Sequence, residues 1–147
     1  GNMISAVRRL QFCSGHRVYK HESKCANIHG HNYVIFAYAK ADSLDSVGRV
    51  IDFSVIKEKL GGWIDENWDH TFLLFNKDTE LIELFKNFEQ NKKMFICDFN
   101  PTAENMAEYI LKTICPELFK GDGIKIHKIE LYETENCKVE ANEEVSS

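Results

Sequence analysis

The sequence predicts an α+β fold in one domain, and three patterns carry that prediction. Two β-rich stretches near the N-terminus flank a polar loop, three later stretches place apolar residues at helical spacing, and a last strand-like run follows Gly121-Asp122-Gly123. Strands separated by helices, with an opening pair able to run antiparallel, indicate α+β rather than an alternating parallel sheet.

The elements follow in order. From Met3 to Phe12, Ile4, Ala6, Leu10 and Phe12 alternate with Ser5, Arg9 and Gln11, the period of a strand, although Arg8 interrupts the apolar face. His31 to Ala41 is rich in Tyr, Val, Ile and Phe and reads as a second strand. Arg17 to Asn27 between them is too long for a tight turn. Val55, Ile56, Leu60, Trp63 and Ile64 then share one helical face, with Ser54 as the expected cap and Gly61-Gly62 weakening the centre. Asp69-His70 is expected in a loop before the apolar stretch Phe72 to Phe75. A second helix is expected from Thr79, as cap, to Phe88, and a short strand over Met94 to Phe99. Thr102 opens a third helix that Pro116 is expected to end. Ile124 to Tyr132 is the final strand, its alternation slipping near His127–Ile129 as at a bulge.

There is no internal repeat, low-complexity segment or linker. Residues 3–140 read as a single domain, Gly1 and Asn2 as a cloning remnant, and 141–147 as a flexible acidic tail. With 147 residues, 44% of them hydrophobic, the chain suffices for one real core. A net charge of −5 argues against binding a nucleic-acid backbone. No apolar run approaches the roughly 20 residues that span a bilayer, and no secretory signal is visible, so a cytoplasmic location is expected. Five scattered cysteines without a CxxC pair make a poor disulfide framework and fit a reducing compartment.

The strongest chemical signal is His29-Gly30-His31. Side chains at i and i+2 of an extended segment project to one side, so both imidazoles can converge on one ion, and Gly30 between them permits close approach of another group. His16 ends the first strand thirteen residues upstream, where an antiparallel partner would bring it alongside. Three imidazoles with a fourth position open form a catalytic zinc arrangement. The plainer reading is a chance HxH with a surface histidine. Cys25, four residues before His29, can be an inert thiol, a fourth ligand closing a structural site, or a nucleophile or base beside the metal. Spacing alone favours the structural ligand. Asp69-His70 is a weak acid–histidine pair unless folding brings it to Cys25. Glu133 is most simply a solvated strand-end carboxylate, or else an acceptor for paired N–H donors of a planar heterocycle. Glu104 fits a first-turn glutamate favoured by the helix dipole. Arg17 and Lys24 are triphosphate-binding candidates by charge and position only.

Taken in order, Phe12, His16, Cys25-Ala26-Asn27-Ile28-His29-Gly30-His31-Asn32-Tyr33, Val50-Ile51-Asp52-Phe53, Trp68-Asp69-His70, Pro101-Thr102-Ala103-Glu104-Asn105 and Tyr132-Glu133-Thr134 resemble the 6-pyruvoyl-tetrahydropterin synthase / 6-carboxytetrahydropterin synthase family. The resemblance implies that His16, His29 and His31 bind catalytic Zn2+ and that Cys25 transfers a proton, reversing the preference drawn from spacing. It also implies that Asp69 and His70 partner Cys25 and that Glu133 anchors the pterin. The implied architecture is the tunnelling fold, an antiparallel four-stranded sheet with helices on one face, assembled as a barrel-forming homo-oligomer, usually a hexamer built as a dimer of trimers. The three-residue spacer Ala26-Asn27-Ile28 resembles the bacterial 6-carboxytetrahydropterin synthases, which act on a pterin in queuosine-type synthesis. The 6-pyruvoyl branch is the alternative, and a structural zinc-binding module is the non-enzyme alternative. The segment from Phe75 to Met94 departs from the shortest members by its length and extra helix.

Overall fold

A computed structural model describes residues 4–20, 27–87 and 93–144. The expectations for Cys25, Lys24, Gly1, Asn2, Met3, Phe88 and 145–147 lie outside the described residues. The strands are β1 (Ala6–His16), β2 (His29–Lys40), β3 (Thr71–Phe75), β4 (Met94–Cys97), β5 (Lys125–Thr134) and β6 (Cys137–Asn142). They form one sheet in the order β4-β3-β1-β2-β5-β6.

The expectation of a four-stranded antiparallel sheet is corrected here. β1, β2, β5 and β6 are antiparallel neighbours, but β3 pairs in parallel with the His16 end of β1, and β4 in parallel with β3. The apolar stretch before the second helix is therefore a strand, and a further strand, β6, runs from Cys137 into the first two residues of the supposed tail. Ala141 and Asn142 pair within β6, and Glu143 beyond it takes Lys40 and Lys125, which is why the strand does not fray at 141. The slip at His127 is borne out as a bulge, since Tyr38 faces Lys128 while Ala39 faces Ile126.

Helix α1 is a continuous run of three segments, Phe53–Ile56, Lys57–Gly61 and Gly62–Asn67. Asp52, rather than Ser54, is its cap, the carboxylate accepting from the Ser54 amide. Helix α2 is Thr79–Lys86, preceded by Asp78 in the cap position instead of Thr79. Helix α3 joins Ala103–Tyr109, Ile110–Ile114 and Cys115–Leu118. Thr102 caps it as expected, accepting from the Asn105 amide. Pro116 does not stop it: the preceding turn is widened, with the Cys115 amide reaching Ile110 O, and the helix continues to Leu118.

Alternation on the strands explains the layers. Phe12, Tyr33, Ile35, Ala37, Ile129, Leu131 and Leu73 join α1 and α3 residues such as Ile56, Leu60, Met106 and Ile110 in the main core. Leu74, the next residue on β3, joins Leu81 and Ile82 in a separate cluster. Helix α2 thus packs on the opposite face of β3, so the helices do not all occupy one face as expected.

Candidate metal centre and its surroundings

The antiparallel register of β1 and β2 pairs His16 with His29 and Ser14 with His31. With period-two alternation, the three imidazoles project from one face at one end of the sheet. Their nearest ligand atoms all lie within 4.8 Å of one another, a group that can hold a metal ion. Gly30 serves a close approach by its own neighbour: a Cβ there would sit 3.3 Å from Ser14 O. At Gly15 a Cβ would meet Phe72 Cε1 at 2.6 Å, so a side chain at the β1–β3 junction beside the histidines would displace the Phe72 ring.

Two of the rings are oriented by carbonyls. His16 Nδ1 lies 2.7 Å from Pro101 O, and His29 Nδ1 lies 2.7 Å from Asn27 O. A carbonyl only accepts, so both Nδ1 atoms carry hydrogen, and in the neutral rings both Nε2 atoms carry lone pairs. Those Nε2 atoms face each other at 3.0 Å. Two lone pairs so placed repel unless a positive centre serves both. A proton is disfavoured in that role because burial, chiefly, with help from His29 and His31, lowers the His16 pKa to about 4. His31 is likewise lowered, by burial above all; Glu133 pulls the other way, and His29 adds a smaller lowering. Its Nε2 is buried and makes no hydrogen bond among the described residues. The donor set therefore fits a cation that takes neutral imidazoles.

Glu133, near the end of β5, reaches this group. Its Oε1 is 3.3 Å from His31 Nε2 and 3.6 Å from His16 Nε2, and the side chain stays half-buried. Tyr33 lies beneath, its hydroxyl 3.4 Å from His16 Nδ1. Burial, reinforced by Glu133, pushes the Tyr33 pKa far up, so the phenol stays protonated.

Asp69 and His70 follow the buried Trp68 at the turn into β3. His70 Nδ1 is 2.9 Å from Asp69 Oδ2, so the adjacent residues do face each other. The Cys13 amide donates to Asp69 Oδ1 at 2.9 Å, and the His70 amide donates to Cys13 O at 2.6 Å. This strap holds His70 at φ 54°, a left-handed conformation that costs a non-glycine residue about 1–2 kcal/mol. Burial disfavours the Asp69 charge, yet the Cys13 amide, His70 and Lys93 outweigh it and keep the carboxyl below its ordinary range. A cleft of about 630 Å³ is lined by His29, His31, His70, Cys13 and Asn32. Folding thus brings His70 to the same cleft as two of the three clustered histidines.

Arg17 is committed elsewhere: its Nε and Nη2 donate to the buried Asp78 at 2.8 and 2.5 Å. Glu104 is exposed in the first turn of α3, as its simplest reading had it. Sequence reasoning did not find the partners that orient the rings. Asn27 O and Pro101 O are backbone atoms and leave no side-chain signal, although Pro101 was legible as a turn before α3.

A family model described as 6-pyruvoyl tetrahydropterin synthase matches residues 5–144. A Rickettsia felis protein named 6-carboxy-5,6,7,8-tetrahydropterin synthase is 41% identical over 138 residues, covering 94% of this chain and 99% of its own. An Aquifex aeolicus protein of the same name is 32% identical over 157 residues, covering 93% and 96%. Among solved structures, an uncharacterised Wolinella succinogenes protein superposes with a TM-score of 0.83 at 20% identity, covering 96% of this chain and 98% of that one. The Caenorhabditis elegans 6-pyruvoyl tetrahydropterin synthase superposes with a TM-score of 0.68 at 20% identity, covering 96% of each. At that identity the two structures speak for the fold alone.

Proposed function

The chain belongs to the 6-pyruvoyl tetrahydropterin synthase family, and we propose that within it the protein is a zinc-dependent 6-carboxy-5,6,7,8-tetrahydropterin synthase. Its substrates are 7,8-dihydroneopterin triphosphate and one water, which supplies the second carboxyl oxygen of the product, and acetaldehyde and triphosphate leave, in a lyase reaction serving queuosine-type synthesis. The observation that carries the metal is the pair of lone-pair-bearing Nε2 atoms of His16 and His29 facing each other at 3.0 Å. The names of the relatives that match nearly end to end support the choice of product.

His16, His29 and His31 hold the zinc, which when bound supplies Lewis-acid polarisation of the substrate's hydroxyl oxygens. Glu133 accepts paired N–H donors of the pterin and fixes the reacting carbon beside the three histidines. Cys25 takes the proton from the C–H bond next to those hydroxyls. Asp69 fixes the His70 ring through Nδ1, leaving Nε2 free to pass a proton in the shared cleft. The strap to Cys13 is expected to keep that ring where the relay needs it. No redox cofactor enters, because reduction of the pterin ring is balanced by oxidation of the side chain of the same substrate through proton transfers.

The active assembly in this reading is a cytoplasmic homo-oligomer, a hexamer of two trimers. The outer edges of β4 and β6, which pair with no further strand among the described residues, support it, since such edges invite pairing with another copy. Sedimentation near six chains is the expected result; a monomer at working concentration opposes it. The reaction is tested by product analysis with 7,8-dihydroneopterin triphosphate. Acetaldehyde release is expected, whereas triphosphate release without acetaldehyde assigns the 6-pyruvoyl branch instead. Cys25→Ala is expected to retain zinc and fold while losing turnover. Loss of zinc and stability in that variant makes Cys25 a structural ligand and the non-enzyme reading the better one.

A further inference from the structure

We infer that Asn100 is a positioning residue for the metal centre, setting His16 by clipping the backbone that leaves β1; the inference rests on the three-histidine reading above. Asn100 stands between β4 and α3, 84 positions from His16 in the sequence. Its Oδ1 accepts from the Tyr19 amide at 2.8 Å, and its Nδ2 donates to Tyr19 O at 3.0 Å. One amide thus satisfies both backbone groups of a single residue, as a neighbouring strand would. Both bonds are half-buried and lie just beyond the last paired residue of β1, where sheet hydrogen bonds no longer define the backbone.

The backbone around Asn100 closes the arrangement. Its carbonyl accepts from the Thr102 amide at 2.7 Å and from Asn105 Nδ2 at 3.0 Å, which fixes the turn against the start of α3. The next carbonyl, Pro101 O, receives His16 Nδ1–H. The same turn therefore clips the backbone three residues after His16 and supplies the acceptor that fixes the His16 tautomer. If the clip opens, the backbone after β1 and the Pro101 carbonyl move independently, and His16 Nε2 loses its fixed direction. Outer partners of metal-binding histidines contribute about 10- to 100-fold in metal affinity, and Asn100 acts at that level without touching the ring.

The test is zinc affinity by competition with a chromophoric chelator on wild type, Asn100→Ala, Asn100→Asp and Ile126→Ala, with thermal melting of each metal-free protein. Cobalt(II) spectra report the ligand field. Ile126 lies in the main core at the far end of β5, so its truncation lowers the melting temperature and leaves zinc affinity unchanged. Asn100→Ala is expected to weaken zinc about 10- to 100-fold and to alter the cobalt spectrum. Asn100→Asp keeps the acceptor for the Tyr19 amide and loses the donor to Tyr19 O, so it falls between the two; it also decides the matter if Asn100→Ala does not fold. Wild-type affinity in a folded Asn100 variant overturns the inference and leaves the three-histidine site standing. An affinity loss in Ile126→Ala equal to that in Asn100→Ala also overturns it, because general destabilisation then suffices. Absence of zinc binding in the wild type overturns the metal reading and this inference with it.

Discussion

The two ends of the sheet handle polar groups in opposite ways. At one end, His16, His29 and His31 stand on paired strands with His16 fully buried, and two of the rings are aimed by a single carbonyl each. At the other, Lys40, Lys125 and Glu143 meet over a larger cleft of about 1000 Å³ whose rim is basic and acidic together and whose lining includes no histidine. Glu143 there is held at a pKa of about 2 by hydrogen bonds from Lys125 and Lys40. Cleft size alone would point to the wrong end. The lesson is that a site is marked by desolvated groups whose lone pairs have nowhere else to go, whereas paired surface charges satisfy each other and ask for no ligand.

The widest separation between the ends is in metal binding. His31→Ala removes one of the three proposed ligands and is expected to weaken zinc by more than the roughly 100-fold that outer partners account for, as measured by chelator competition. Retention of wild-type affinity would place the ion elsewhere.

Acid separates the ends next, through stability. In the metal-free protein, His16 titrates near 4 when folded and near 6.5 when unfolded, so the unfolded state binds the extra proton. The stability this provides is complete above pH 6.5 and is lost as pH falls toward 4, by about 3 kcal/mol at about 1.4 kcal/mol per unit. Glu143 is also depressed, so its share is present above pH 4.5 and disappears on going toward 2; its exposure limits that share to less than about 1 kcal/mol. Urea unfolding of metal-stripped protein across pH 4 to 7 should therefore slope downward well before surface carboxylates titrate. A flat profile over that window contradicts the buried, neutral state of His16.

Two substitutions sharpen the contrast further. Glu133→Gln is expected to retain zinc and to lower kcat/KM about 10- to 100-fold, the scale of one charge-assisted hydrogen bond. Unchanged turnover would return Glu133 to the role of a strand-end carboxylate. Glu143→Ala is expected to leave zinc and turnover unaltered and to cost less than about 1 kcal/mol by urea unfolding. A larger cost, or an altered turnover, would join the far cleft to the active site.

What the sequence disclosed follows the range of each signal. The HxH projection and the antiparallel neighbour that carries His16 depend on period-two alternation, a local property, and both hold in the register. The bulge at His127 was visible for the same reason. β4 was legible as a short strand over Met94 to Phe99, but β3 as a strand and the parallel pairing of both were not, because they have only five and four residues and the β1 partner of β3 lies far away in the sequence. Helix α2 was legible as a helix, but the face it covers depends on Leu74 pointing away from Leu73, which only the assembled sheet decides. The carbonyls behind His16 and His29, and the pairing of Arg17 with Asp78 across 61 positions, belong to backbone and long-range contacts that residue types do not announce.

The central claim is that the three histidines hold zinc for a carbon–carbon-cleaving pterin reaction, and one preparation tests it most directly. Purified wild-type protein is assayed for metal by elemental analysis, while the same sample is given 7,8-dihydroneopterin triphosphate and its products are identified. The account predicts zinc close to one per protomer, with acetaldehyde and 6-carboxy-5,6,7,8-tetrahydropterin formed. Protein that carries no zinc, takes up none and still turns the substrate over would contradict it.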